Sequence, residues 1–205
     1  MKYLQILVCA VLIFAYTDAA QKKSSNTKKG KTAVSEQQPN PKKGFVLIET
    51  SLGNITIQLN DSAAPKHSAN FRKLAKEGYY DSTTFHRVIP NFMIQGGDPN
   101  SKSGERSTHG MGGPEYRIDA EIGLSHDRGV IAAARQGDPI NPQRMSNGSQ
   151  FYITVVPTTF LDGQYSVFGK VVEGMDVADK IVAVPRDPRD NPIEKVMIIR
   201  MTVIE

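Results

Sequence analysis

The stretch Phe85-His-Arg-Val-Ile-Pro-Asn-Phe-Met-Ile-Gln-Gly-Gly-Asp98 decides how the rest of this chain is read. Residues 84–89 and 92–95 are two short runs rich in the aromatic and β-branched side chains that suit strands. Successive side chains of a strand point to opposite faces. Arg87 is therefore expected opposite His86 and on one face with Phe85 and Ile89. Gln95 is likewise expected on one face with Met93.

Working upstream, Phe45-Val-Leu-Ile-Glu-Thr50 and Ile55-Thr-Ile-Gln-Leu59 are β-rich runs joined by Ser51-Leu-Gly-Asn54, a hairpin pattern. Pro65 favours the first turn of a helix. Phe71, Leu74 and Ala75 supply the i, i+3, i+4 stripe that buries one helix face, and Gly78 marks the helix end. Downstream, short strands are predicted at 129–134, 151–155 and 167–172, with a second helix at 175–183. The chain closes on Val196-Met-Ile-Ile-Arg-Met-Thr-Val-Ile204, apolar enough to lie deep in a sheet. No internal repeat is visible. Many short strands with two widely separated helices predict a closed barrel capped by helices.

Further out, the chain begins with Lys2 and an apolar run that ends near Tyr16. That run is short of the roughly 20 apolar residues a transmembrane helix needs. Thr17 and Ala19 place small side chains where a signal peptidase cutting after Ala19 would need them, so residues 1–20 read as a secretory signal peptide. Residues 21–44 hold seven lysines against Glu36, a net charge of +6, and lack apolar periodicity. They read as a flexible spacer. The folded part, 45–205, then carries −2, so the basic pI of about 9.1 belongs to the spacer. A basic groove for nucleic acid is not expected. Cys9 is the sole cysteine, so the mature chain offers no thiol chemistry and no thiolate metal site. An exported protein, periplasmic or secreted and without stable membrane insertion once the signal is cut, is the expectation.

The Phe85–Asp98 stretch resembles the cyclophilin family. The resemblance continues through Asn147-Gly-Ser-Gln-Phe-Tyr-Ile153, Phe160-Leu-Asp-Gly163 and Val167-Phe-Gly-Lys-Val-Val-Glu-Gly-Met175. Four blocks in order and at family spacing cover everything from about residue 45 to the end. The resemblance, closest to the bacterial exported type, implies a mainly β fold: a closed eight-stranded antiparallel barrel capped by two α-helices. It also implies peptidyl-prolyl cis/trans isomerase activity on proline-containing polypeptides during their folding, by a monomer that uses neither cofactor nor metal.

That activity explains the residue types. An X–Pro bond isomerises over tens to hundreds of seconds, against a barrier of about 20 kcal/mol set by amide resonance. No covalent bond breaks. The enzyme must bind the twisted amide, whose nitrogen has gained a lone pair, better than either planar isomer. A cation beside a dry apolar pocket that grips the proline ring would do so. By resemblance Arg87 is the catalytic cation, Phe92 and Met93 line the proline pocket, and Gln95 hydrogen-bonds substrate. Gln150 shares a strand face with Tyr152, which closes the pocket, and Phe160 and Leu161 complete the apolar wall. Ala134 and Arg135 lie in the segment that binds substrate backbone, and Tyr165 stands where a substrate-contacting histidine is common.

This chain departs from the family pattern at several of these positions. It has no Trp, and Phe160 occupies a position where many members carry one; Tyr152 replaces a more usual Phe and Arg135 a frequent Asn. The loop 136–145 is longer than in short members. These departures argue against strong binding of the cyclic peptide inhibitor for which the family is named. The glycine-rich segment 99–114 does not reveal which of its glycines borders the pocket.

Other chemistries find little support. His67, His86, His109 and His126 are scattered and lack the spacing of a zinc site. Ser149 lacks the second glycine of a nucleophile elbow. Asp98, Asp119 and Glu121 are expected in surface or turn roles. Two other readings remain in view: a proline-peptide-binding chaperone with incidental or no isomerase activity, since pure binding would need no cation under the prolyl nitrogen, and a structural or surface-adhesion protein acting through its lysine-rich tail.

Overall fold

The expected hairpin forms strands β1 (Phe45–Thr50) and β2 (Gly53–Leu59), paired from Phe45 with Gln58 to Thr50 with Gly53. Its turn is tied by the Thr50 hydroxyl, which donates to the Gly53 carbonyl at 2.6 Å and accepts from the Leu52 amide at 3.1 Å. The computed structural model describes residues 44–204. The expected signal peptide, and the expected spacer apart from Gly44, lie outside the described residues. The remaining elements are α1 (Pro65–Lys76), β3 (Arg87–Ile89), β4 (Met93–Gly96), β5 (Val130–Ala133), β6 (Phe151–Thr154), β7 (Val167–Glu173), α2 (Met175–Val182) and β8 (Ile198–Ile204). Helix ends and strand ends differ from the predicted ones by one to three residues. Among the described residues no helix is long and apolar enough to cross a membrane.

Helix α1 buries Phe71, Leu74 and Ala75, as its stripe requires. Phe71 packs among Tyr80, Phe151 and Phe168 with ring centroids 5.2–5.5 Å apart. At its C-terminal end Gly78 takes φ +66°, its amide bonds Ala75 and the Tyr79 amide bonds Leu74, the paired closure of a Schellman motif. At the other end Ala64 offers no capping side chain. The cap comes from far along the chain: Glu121 accepts from the amides of Lys66 at 2.9 Å and His67 at 3.0 Å. Glu121 also lies 2.6 Å from His67 Nδ1, whose Nε2 is 2.8 Å from the Ser146 hydroxyl. This acid–imidazole–hydroxyl row resembles a hydrolytic triad in its order only. His67 and Ser146 are buried, so the row is a strut that holds α1 to the sheet. Of the acids expected at the surface, Asp119 is exposed and pairs with Lys66 at 2.6 Å, whereas Glu121 is largely covered. Asp98 is fully buried and caps the short 3-10 helix Pro99–Lys102 through the Asn100 amide.

All eight strands form one sheet in the order β3-β4-β6-β5-β7-β2-β1-β8. It is an open half-barrel, which corrects the expected closed barrel. No ladder joins β3 to β8. The reason is local: β3 is only three residues long, because the chain leaves extended pairing at Phe85 and His86. Isolated bonds cross the seam instead, from the Phe85 amide to Val196, from Ser82 to Ile198 and from Ile198 back to Thr83. The break also moves side chains. Phe85 points into the main core, whereas Arg87 is exposed, so Arg87 does not share a face with Phe85 as predicted.

Strand alternation divides the apolar side chains between two clusters. Ile94, Ile131, Phe151, Ile153 and Phe168 face the main core with both helices. Met93, Val130, Ala132, Tyr152 and Val167 form a second cluster on the opposite face, flanked by Ile89, Phe92, Ala134, Leu161 and Tyr165. That second face carries the site.

Candidate active site

Sheet register assembles the site. Arg87 pairs with Gln95 across β3 and β4, Gln95 with Tyr152 across β4 and β6, and Tyr152 with Ala132 across β6 and β5. Cross-strand partners lie about 5 Å apart, so a cation, an amide and an aromatic ring stand side by side on the outer face. Beside them is a hollow of about 180 Å³. That is below the roughly 300–1,000 Å³ of pockets for drug-sized ligands and suits one small ring. Arg87 and Gln95 stand at its polar side, Phe92, Met93, Tyr152 and Leu161 supply apolar wall, and Ala134, Arg135 and Tyr165 complete it.

Two predicted residues lie outside the hollow. Phe160 is 65% exposed and reaches it only through its ring, tilted over Phe92 with centroids 5.6 Å apart. Gln150 lines a neighbouring depression of about 420 Å³ with Gly110, Gly112, Gly113 and Tyr116. Gln95, Ala134 and Arg135 border both hollows and form the ridge between them.

Gln150 still bears on Arg87. Its Nε2 donates to the carbonyls of Gly110 at 3.0 Å and Gly112 at 2.8 Å, which turns its oxygen toward Gln95. Gln95 Nε2 donates to that oxygen at 3.0 Å, and so presents its own Oε1 to Arg87 Nη1 at 3.4 Å. An amide has one donor end and one acceptor end. Two backbone carbonyls thus fix, through two amides, that the atom facing the guanidinium is an acceptor. On the far side Arg87 Nε lies 3.9 Å from Asp190 Oδ2.

The aromatic wall has its own support. Tyr152 is buried, and its hydroxyl lies 3.0 Å from Nε2 of the fully buried His126, whose ring stacks on it at 6.2 Å. Asp162 Oδ1 accepts from the His126 backbone amide at 2.7 Å and lies 2.9 Å from Nδ1. The bond from His126 holds the Asp162 carboxyl below the usual range, so it is an acceptor. In the neutral ring the proton therefore sits on Nδ1 and the Tyr152 hydroxyl donates to Nε2. Burial pushes the Tyr152 hydroxyl well above the ordinary tyrosine pKa, so it stays protonated. His126 was not singled out from the sequence. The extra hydroxyl of Tyr152 was the available clue, because a buried O–H needs a partner.

Arg135 lines the hollow, and its guanidinium is held within the protein. Its side chain is 3% exposed and is fastened by protein partners. The guanidinium lies 4.5 Å over the Tyr165 ring, donates to the Gln164 and Gln136 carbonyls at 2.9 Å each, and pairs with Asp138 at 2.6 Å. Arg144 shares Asp138 at 2.7 Å and donates to the Gly163 carbonyl at 2.9 Å. The long loop 136–145 is thereby tied to the segment that carries Leu161 and Tyr165. Arg135 thus presents wall to the hollow while its Nε and Nη1 are engaged by the protein.

Among the described residues no group of three or more His, Cys, Asp or Glu is placed to hold a metal ion.

Residues 45–203 match the family model described as cyclophilin type peptidyl-prolyl cis-trans isomerase/CLD. The chain is 41% identical over 160 residues to peptidyl-prolyl cis-trans isomerase-like 1 of Neurospora crassa, covering 78% of this chain and 93% of the relative. It is 42% identical over 160 residues to peptidyl-prolyl cis-trans isomerase cypE of Dictyostelium discoideum, covering 77% and 96%. Among solved structures, a cyclophilin type peptidyl-prolyl cis-trans isomerase of Cryptosporidium parvum, crystallised in the presence of the dipeptide Ala-Pro, superposes with a TM-score of 0.69. Its identity is 34%, with 78% of this chain and 98% of that chain covered.

Proposed function

The chain belongs to the cyclophilin-type peptidyl-prolyl cis-trans isomerase family, and on that premise we propose that Arg87 is its catalytic cation and the adjoining 180 Å³ hollow its proline seat. Phe92, Met93, Leu161 and Tyr152 offer apolar contact to the ring, which fixes the prolyl end of the bond while the preceding carbonyl is free to turn. As the amide twists, resonance is lost and the nitrogen gains a lone pair. A guanidinium N–H aimed at that nitrogen binds the twisted form better than the planar ones, and this difference is what lowers the barrier. Gln95 accepts from Arg87 on one side and pairs with it across β3 and β4. Neutral amides suit that place, since buried carboxylates would carry a large desolvation cost and would quench the cation.

The juxtaposition of Arg87 with the apolar hollow carries this reading, because a module that only bound proline would gain nothing from a cation at that wall. Arg87→Ala is expected to lower kcat on a proline-containing peptide by about 10²–10³-fold, the range for losing one preorganised donor, with thermal unfolding nearly unchanged. Unreduced activity in a protease-coupled or NMR-exchange assay would sink the proposal.

The same proposal extends to clients: exported, unfolded polypeptides reached after cleavage of residues 1–20 and presented to a monomeric domain on its lysine-rich spacer. Supporting it are the apolar run ending near Tyr16 and the small residues Thr17 and Ala19. Amino-terminal sequencing of the protein recovered outside the cytoplasm should begin near residue 20; an intact Met1 there would refute it.

A further inference from the structure

The loop between α2 and β8 places a carboxylate beside Arg87 by construction. Asp187 Oδ1 accepts from the amides of Arg189 at 2.8 Å and Asn191 at 3.0 Å, and the Asp187 carbonyl accepts from the Asp190 amide at 2.9 Å. These bonds wind the segment into a tight turn in which Asp190 takes φ +64°, a left-handed conformation that aspartate tolerates better than most residues. The Asp190 carbonyl then accepts from the amide of Val88 at 2.8 Å, on the otherwise unladdered edge of β3. The turn is thus locked to the residue next to Arg87, and the Asp190 carboxylate comes to lie 3.9 Å from Arg87 Nε. Its other oxygen accepts from Arg186 Nε at 3.0 Å.

We infer that Asp190 is a positioning residue for Arg87, an inference that rests on the reading of Arg87 as the catalytic cation. Arg87 has a long flexible side chain that is 45% exposed, so packing does not hold it. Gln95 approaches it at Nη1 and Asp190 at Nε, which leaves the remaining N–H groups of the fork to face the hollow. The pair is loose, and its carboxylate is shared with Arg186. A close bidentate carboxylate would occupy the donors the reaction needs; a shared one at 3.9 Å biases orientation and leaves them available. The walls that grip the proline ring do not involve Asp190, so its loss should affect turnover and not substrate affinity.

Asp190→Gly and Asp190→Asn in the full chain test this, since both residues accept φ near +64° and neither carries the charge. Each is expected to lower kcat by about five-fold, equivalent to about 1 kcal/mol, with KM for a proline-containing peptide within two-fold of the parent. In an Arg87→Ala background neither should lower the residual rate further. Unchanged or raised kcat in Asp190→Gly overturns the inference, and so does an equal loss in both backgrounds, which would mark a purely structural effect. If Arg87→Ala alone keeps full activity, the reading of Arg87 fails and this inference with it. If Arg87→Ala is inactive and Asp190→Gly is unimpaired, only the inference fails.

Discussion

Tyr152→Phe separates the two things Tyr152 does. Its ring forms wall in the 180 Å³ hollow, and its hydroxyl donates to a buried imidazole. The variant keeps the ring and deletes a 3.0 Å hydrogen bond between a residue that is 5% exposed and one that is fully buried. His126 Nε2 is then left as a buried acceptor without its partner. Stranding a buried polar group costs about 1–3 kcal/mol. For a domain of this size each kcal/mol lowers Tm by about 2–4 °C, so thermal unfolding monitored by circular dichroism should show a fall of about 2–12 °C. The kcat/KM for a proline peptide, measured in the same preparation, should stay within about three-fold. A second change, His126→Phe, removes the stranded nitrogen as well. The double variant should recover part of the lost stability, because deleting both partners is less damaging than deleting one. An unchanged Tm in Tyr152→Phe would refute the hydrogen bond, and a ten-fold loss of kcat/KM would refute the assignment of the hydroxyl to structure alone.

Other outcomes follow from the same coordinates. Phe160→Trp should tighten binding of the family's cyclic peptide inhibitor by several-fold, because the larger ring extends the apolar rim that already overlies Phe92. Calorimetry showing no gain would transfer control of that affinity to the braced loop 136–145. Stability should also fall on mild acidification. Burial lowers His86 to about 4 from 6.5, with Asp98 opposing that shift and His109 adding to it, and burial likewise lowers His67 against the pull of Glu121. The unfolded chain then binds more protons than the folded one between pH 6.5 and about 4, so stability is full above that window and declines as pH drops through it. A Tm that stays level from pH 7 to pH 4.5 would contradict this.

The sequence carried the hairpin, both helices and nearly every strand, through apolar patterning and, for most of them, a glycine or proline at a boundary. Nine of the eleven predicted site residues line the one hollow, since strand parity and the family blocks fix their faces once register is set. The errors came where the chain leaves a regular period. Extending a period-two pattern through Phe85 and His86 put Arg87 on the wrong side relative to Phe85, and reading a closed barrel from many short strands and two helices missed the bridged seam. Tertiary partners were invisible for a different reason. Glu121 capping α1 and His126 under Tyr152 join positions whose proximity depends on loops that no local pattern specifies. The double glycine of the Phe85–Asp98 stretch is explained only by the fold. Gly97 takes φ +82°, and a β-carbon there would run into the Ser149 carbonyl and the Phe151 ring.

The open seam has a consequence for motion. The strand that bears Arg87 is the terminal strand of the sheet, three residues long, and its outer margin is held by scattered bonds to a loop. Fluctuations of a β-structure begin at such margins, where few contacts must be lost together. The guanidinium therefore rides on the part of the scaffold that loosens most readily, while Met93 and Tyr152 stand on strands paired on both sides. Amide deuteration would see this as faster labelling of Val88 than of Ile153. On the proposed reading of Arg87, a rigid floor with one yielding side gives a rotating peptide group somewhere to go.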